Sequence, residues 1–561
     1  MNKTNAEKLE NPIKINASHN GDFISILSVK YLHVKTENNG DLYLTEYGIP
    51  LIENLRPVNW YKKDWFEQNR EKLKGTSTVY RVKTKEINGR SADIVVKWCR
   101  VGEEVPADTR TMDEFTNVEF NTPYEEFSLV FEMRGRKRKK LIRTHKPLAI
   151  FKPPEILKLW QTGRSKSKIA QKKAKFMDVE LDIFRQYILI YEWIKGYSAD
   201  EVYEHYVENR TDSALHMADI TRRAIADMEK AGFRVLDIKP AHIILRLNGE
   251  REVVKDRKGK TPYALVDFEL LERTPKYEKK VKALKRGAYI KRQEGKVFSV
   301  NYNNFPPHLS HINIFGLDYI YGVTESTRGI LWVAGNDPLL FDYFLPERWR
   351  HTPRRKLSQN WEIYSAVTKD NIHVVWKVSH VGETPEDTKE AEYGYNSPFQ
   401  EFAFARELDH LGIRTIFPRA IYMTGITSKE LLVDDKRRFD SHQNILMKDG
   451  TPILMANHNY ITIWGYWYGP VENKNAAKTR REHGINLLEA YNNGFISKEI
   501  FLELIERKRA RLAKAGFEDL RMKGDHMIIS LTADGSFKTG ADGLPEIRIC
   551  NFDLMKRLDS L

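Results

Sequence analysis

The chain has 561 residues, 41% apolar and 30% charged, with a formal net charge of +14. That length exceeds what one hydrophobic core ordinarily serves, and the composition excludes a wholly disordered or collagen-like chain. The basic balance favours acidic partners such as phosphates, nucleic acid or an anionic membrane face, while Cys99 and Cys550 are too few for a disulfide framework and predict buried, reduced thiols.

In chain order, residues 1–20 are a polar N-terminal tail without the apolar stretch of a secretory signal. The longest apolar run, around "YILIYEWI", is far shorter than a bilayer span. A soluble, cytoplasmic protein with no transmembrane segment is the expectation. The segment "GDLYLTEYGIPLI", within residues 21–60, reads as extra strands. Two β-rich runs follow, "TVYRVKTKE" and "ADIVVKW", then a helix in "TPYEEFSLVFEM", where Pro123 suits a first turn. The run "QYILIYEWI" is a further strand. After Gly196, "ALHMADITRRAIADMEKAG" places Leu215, Ile220, Ala224, Ile225 and Met228 at helical spacing and stops at Gly232. A hairpin-like pair closes the series, "HIILRL" and "YALVDFEL", around the polar loop "NGEREVVKDRKGKTP". A strand-rich lobe therefore precedes a helix-rich lobe, with a cleft expected between them.

The series then repeats. "AGFRVLDIKPAHIIL" from Ala231 matches "AGFEDLRMKGDHMII" from Ala515, and "VDFELLER" from Val266 matches "CNFDLMKR" from Cys550, both at an offset of 284. Upstream, "VVKWCRVGE" pairs with "VWKVSHVGE", "NTPYEEF" with "NSPFQEF", "IRTHKPLAIF" with "IRTIFPRAIY", and "YILIYEWIKG" with "YITIWGYWYG". "GILWVAGNDPLLF", within 308–349, answers the early extra strands. Two copies of one fold are expected, each of about 255 residues, a normal domain size.

The stretch Asp237, Ile238, Lys239, Pro240, Ala241, His242 resembles the catalytic loop of the protein-kinase-like superfamily, in the branch of small-molecule and lipopolysaccharide kinases. The family pattern is Asp, any residue, Lys, Pro, any residue, Asn; only His242 departs from it. "VDFE" resembles the metal-binding segment, with Glu269 in place of glycine, as in choline-kinase-like and aminoglycoside-kinase-like enzymes. Lys97 in "IVVKW" resembles the strand lysine that contacts nucleotide phosphates. Its helix partner is Glu126, since Glu126 pairs with Glu401 between the copies whereas Glu125 pairs with Gln400. "LIYEWIKG" resembles the hinge, whose backbone around Glu192, Trp193 and Ile194 would read adenine. No Gly-rich phosphate loop is recognisable: "KGTSTVY" offers Gly75 alone, with Ser77 and Thr78.

The resemblance implies an α+β architecture of two tandem bilobal kinase-like domains, each with a β-rich N-lobe and a helix-rich C-lobe. The first spans residues 21–275, a basic linker 276–305, and the second 306–561. It implies ATP and Mg²⁺ as cofactors, with Asp237 orienting a hydroxyl acceptor, Lys239 stabilising the transferred group, and Asp267 and His242 at the metal. The imidazole of His242 is a softer donor than Mg²⁺ favours. In the second copy Arg521 and Asn551 replace the two aspartates while Lys377, Glu401, Lys523 and His526 remain, so that copy reads as a pseudokinase.

Plainer readings stand beside these. Lys97 reads equally as an edge-strand charge, Glu126 as an exposed first-turn residue favouring the helix dipole, and His242 and His526 as histidines that fix a loop by hydrogen bonds. The basic runs "RGRKRKK" (Arg134 to Lys140), "RSKSKIAQKKAK" (Arg164 to Lys175) and "KKVKALKR" (Lys279 to Arg286) read as solvated loops and a linker helix, or as docking sites for an anionic partner or nucleic acid. The alternative function is a catalytically silent tandem scaffold that binds nucleotide or nucleic acid; nucleotidyl transfer by the same residues is a third.

Overall fold

The run DIVVKW, strand Asp93–Trp98, is β-branched at its centre and lies inside an eight-stranded antiparallel sheet, so Lys97 on it is only 5% exposed. In the computed structural model the described residues are 21–73, 78–99, 120–135, 142–158, 181–205, 210–294, 305–358, 361–425, 433–466, 483–531, 536–540 and 543–558. The tail 1–20, Gly75, Ser77, the basic run from Arg136 to Lys140 and the run Arg164 to Lys175 lie outside them.

The fold mixes helices with two large antiparallel sheets of eight strands each. The first sheet runs Asp22–Ile26, Val29–Lys35, Asp41–Leu44, Pro147–Lys152, Ile188–Glu192, Asp93–Trp98, Val79–Lys83, Arg70–Lys72 from edge to edge. The second runs Ser310–Ile314, Leu317–Val323, Ile330–Ala334, Phe417–Met423, Tyr460–Gly465, His373–Val378, Ile363–Val367, Arg354–Lys356. The chain visits positions in the same order in both. The extra strands expected in each copy form a three-stranded meander joined to one flank of its sheet. Each sheet also buries a matched tryptophan: Trp60 donates its indole N–H to the Leu55 carbonyl at 2.8 Å, and Trp349 to Phe344 at 2.9 Å. Burying an indole requires such an acceptor.

The C-terminal parts match as closely. Phe233–Val235 pairs with Leu271–Arg273, and Ile243–Leu245 with Ala264–Leu265; their counterparts are Phe517–Asp519 with Met555–Arg557, and Met527–Leu531 with Ile547–Ile549. The helix Arg210–Ala231 buries Ile220, Ala224 and Met228, and Lys498–Lys514 buries Leu504, Lys508 and Leu512 at the same offset. Leu215, read from its spacing as part of the apolar stripe, is instead 62% exposed. It lies more than a turn before the buried Ile220.

Compactness divides the chain differently from the repeat. One unit holds residues up to Cys99 with His145–Ile156 and Gln186–Lys195; the other holds Arg100–Thr144, Leu157–Arg185 and Gly196–Leu561. Within the second unit, the segment read as a basic linker begins as the helix Pro275–Glu294. Its Tyr289 is buried against Tyr343 and Phe344, Lys285 pairs with the buried Asp370 at 2.9 Å, and Arg292 pairs with Asp337 at 2.9 Å. Part of the third basic run is therefore committed to ion pairing within the chain rather than solvated.

Candidate functional site

Two arches build the site in the first copy. Residues between Phe233–Val235 and Ile243–Leu245 carry Asp237, Lys239 and His242; residues between Ala264–Leu265 and Leu271–Arg273 carry Asp267 and Glu269. Because each flanking strand of one arch pairs with a flanking strand of the other, the arches are held together. Leu236 N–H donates to the Leu270 carbonyl at 3.2 Å, and Val266 N–H to His242 at 3.0 Å. The thirty-residue separation in sequence is thereby closed in space.

The electrostatics follow. Burial pushes the Asp237 carboxyl above the ordinary aspartate range; Asp267 and Glu269 add to the rise, while His242 and Lys239 oppose it. His242 is buried, with Nε2 3.6 Å from Asp267 Oδ2, and its Nδ1 has no hydrogen-bond partner among the described residues. Lys239 is exposed. Asp267 has φ of +66°, a backbone region that aspartate tolerates better than bulkier residues and that recurs at functional sites.

The helix Pro123–Arg134 is anchored to the second arch. Asn121 donates N–H to the Glu269 carbonyl at 2.9 Å and its Nδ2 to the Leu271 carbonyl at 2.9 Å. Thr122 and Glu125 then form a capping box. Glu125 is thereby accounted for, and Gln400 opposite it in the repeat performs the same cap with Ser397. Glu126 is fully buried, which contradicts its reading as an exposed first-turn charge. Lys97 is buried on an interior strand, which contradicts the edge-strand reading.

In the hinge segment, Glu192 N–H donates to the Lys146 carbonyl at 2.9 Å and Trp193 N–H to Asp93 at 3.2 Å. Two of the three backbone donors expected to read a base edge are thus engaged in the sheet. The Glu192 side chain pairs with Lys146 at 2.7 Å, Arg81 lies over the Trp193 ring at 4.8 Å, and Ile194 is buried.

In the second copy all the matched elements belong to one unit, and the constellation is assembled. Lys377 Nζ donates to Glu401 Oε2 at 3.3 Å, to Asn551 Oδ1 at 3.2 Å and to Asp553. Burial opposes the charge on Lys377, and Asp553 and Glu401 outweigh it, so the amine is held above its usual range. Burial pushes Glu401 up to about 8. His526 bridges the arches, with Nδ1 3.0 Å from Asp519 and Nε2 3.1 Å from Asn551 Nδ2. Arg521, at the position of Asp237, is paired with Glu390. The polar groups of this constellation are paired with one another.

Among the described residues no group of three or more His, Cys, Asp or Glu side chains is set to hold a metal alone. Mg²⁺ characteristically takes one or two carboxylates and completes its shell with water and substrate phosphates. The carboxylates Asp267 and Glu269 fit that hard-oxygen requirement; His242 fits it poorly. Cys99 and Cys550 form no disulfide and are half-buried rather than fully buried, and burial pushes the Cys550 thiol up to about 12. No described helix is long and apolar enough to cross a membrane.

Sequence reasoning missed Asn121, Asn396, Asp519 and Glu390. The asparagines had a signal, since one precedes the Pro-started helix in both copies. Asp519 had none, because Val235 stands opposite it. No protein-family model matches the chain, and no curated protein matches it.

Proposed function

We propose that the first copy is an ATP- and Mg²⁺-dependent phosphotransferase of protein-kinase-like, bilobal form, and that the second is a silent copy of the same fold. The observation that carries this reading is the pair of stacked arches. They gather Asp237, His242, Asp267 and Glu269 in one copy, whereas Arg521 and Asn551 stand at the two aspartate positions in the other.

In this reading Asp237 orients the acceptor hydroxyl and receives its proton as the new O–P bond forms and the bond to ADP breaks. Lys239, exposed beside it, neutralises charge on the transferred group. Asp267 holds the metal, which would neutralise the nucleotide phosphates when bound, and Glu269 stands two residues away as a further oxygen donor. Lys97 takes the phosphate-contacting role by its correspondence to Lys377. Ile194 is left as the principal backbone donor for a base, because Glu192 and Trp193 are engaged. The acceptor is a hydroxyl compound.

Thermal unfolding of the full chain with millimolar Mg-ATP tests the binding half of this reading, because a ligand of the folded state must stabilise it by mass action. A rise in Tm that needs Mg²⁺ and disappears in Asp267→Asn is expected. No rise, together with salt-sensitive RNA binding, would instead support the silent scaffold.

A further inference from the structure

A second concavity lies away from both arches. It is a pocket of about 420 Å³ lined by the helix Lys498–Lys514, Gly412 and Arg414, and residues 538–540 and 544–547. Among the described lining residues five are cationic, Arg414, Arg507, Lys508, Arg511 and Lys538, and one, Glu546, is a carboxylate. Leu504, Arg507, Lys508 and Arg511 follow the spacing that puts side chains on one helix face. Glu546 is already shared: Arg414 lies 3.1 Å from it, and Lys538 and Arg548 each 4.0 Å. Lys508 is 5% exposed, and its amine reaches the Ile547 carbonyl at 3.4 Å. Burial, with Arg511, Arg507 and Arg548 adding to it, pushes that amine down to about 7, the opposite of what a well-paired lysine shows.

The repeat shows that the fold does not need all of these charges, Lys508 and Arg511 in particular. At the offset of 284, Lys508 corresponds to Ala224, Arg511 to Asp227, Arg548 to Ala264 and Ile547 to Tyr263. Ala224 and Ala264 are buried without cost, and the Tyr263 hydroxyl donates to Asp227 at 2.8 Å. One copy therefore keeps a cation opposite Arg507, at Arg223, but builds the same helix and strand with neutral or acidic residues opposite Lys508, Arg511 and Arg548. The other places buried and crowded cations there, which is unfavourable unless an anion joins them.

We propose that this pocket binds a small compound carrying two neighbouring phosphate groups. The volume lies at the lower end of the range for small-molecule sites, and a cluster of guanidinium and ammonium groups around one concavity is the chemistry that recognises clustered phosphate oxygens. The inference is independent of the phosphotransferase reading, since no residue is shared.

Calorimetric titration of the full chain with pyrophosphate, without Mg²⁺, tests it in the wild type, in Asp267→Asn and in the double variant Lys508→Ala, Arg511→Asp. That double variant restores residues with which the first copy folds. Equal binding in the wild type and Asp267→Asn, weakened at least tenfold in the double variant, is the expected result. Absence of binding to the wild type at millimolar pyrophosphate, or undiminished affinity in the folded double variant, overturns the proposal. Vesicles of phosphatidylcholine with phosphatidylinositol bisphosphate identify the source: binding to them that the double variant loses points to a lipid headgroup, and no vesicle binding points to a soluble phosphate compound.

Discussion

Asp237 is the residue on which acid–base behaviour turns. Its folded pKa is raised above 3.8, so the folded state holds a proton that the unfolded state has lost. Stability therefore falls as pH rises through the unfolded and then the folded value, and stays lower above both. Asp237→Asn is expected to raise Tm at neutral pH relative to the wild type, with the gap closing below pH 3.8. The same variant should lose about 10²–10⁴-fold in transfer rate, the usual contribution of a positioned acid–base group. Lys377→Ala sets the opposite case: it leaves Glu401 and Asp553 buried without their cation and should cost about 3 kcal/mol in chemical denaturation. At this scale the sequence was informative wherever a residue recurs or is exchanged between copies. Asp237 against Arg521, Asp267 against Asn551 and Lys97 with Lys377 could all be read that way. Partners that arise from tertiary approach alone, such as Glu390 for Arg521, left no trace along the chain.

The elements were legible where a period or a terminating residue marks them. Pro123 opens its helix, and Gly232 follows the helix Arg210–Ala231 with φ of +89°, a left-handed position that favours glycine. Gly516 takes the same part after Lys498–Lys514, with φ of +81°. The two differ in surroundings: a Cβ at Gly232 would stand 2.8 Å from the Tyr277 ring, whereas at Gly516 it would meet nothing within 4 Å. Gly516→Ala should therefore cost about 1 kcal/mol of backbone strain alone, and Gly232→Ala distinctly more, both measured by urea unfolding. The arches themselves were less legible, because their strands are three residues or fewer in the first copy and carry too short a pattern. The repeat offset identified them instead.

At the scale of the whole molecule, the repeat was written in the sequence and the packing across it was not. The second copy holds two segments of the first: Lys369 pairs with Glu125 on the helix Pro123–Arg134 at 2.6 Å, and Arg328 pairs with the buried Asp182. Burial opposes the Glu125 charge, and Lys369 outweighs it, holding the carboxyl down at about 2. A lowered acid contributes stability that is present above its unfolded value of 4.5 and is lost as pH falls toward 2. Because Lys369 is half exposed, the tie is worth about 1 kcal/mol at most. Lys369→Ala should accordingly speed amide exchange in Pro123–Arg134 about fivefold, without global unfolding. Such a tie links the second copy to the helix that carries Glu126. The central claim is that chemistry belongs to the first copy alone, and transfer of label from γ-labelled ATP by the full chain tests it most directly. Label transfer that is lost in folded Asp267→Asn and kept in folded Asp553→Asn is the expected result; equal transfer by the wild type and Asp267→Asn would contradict it.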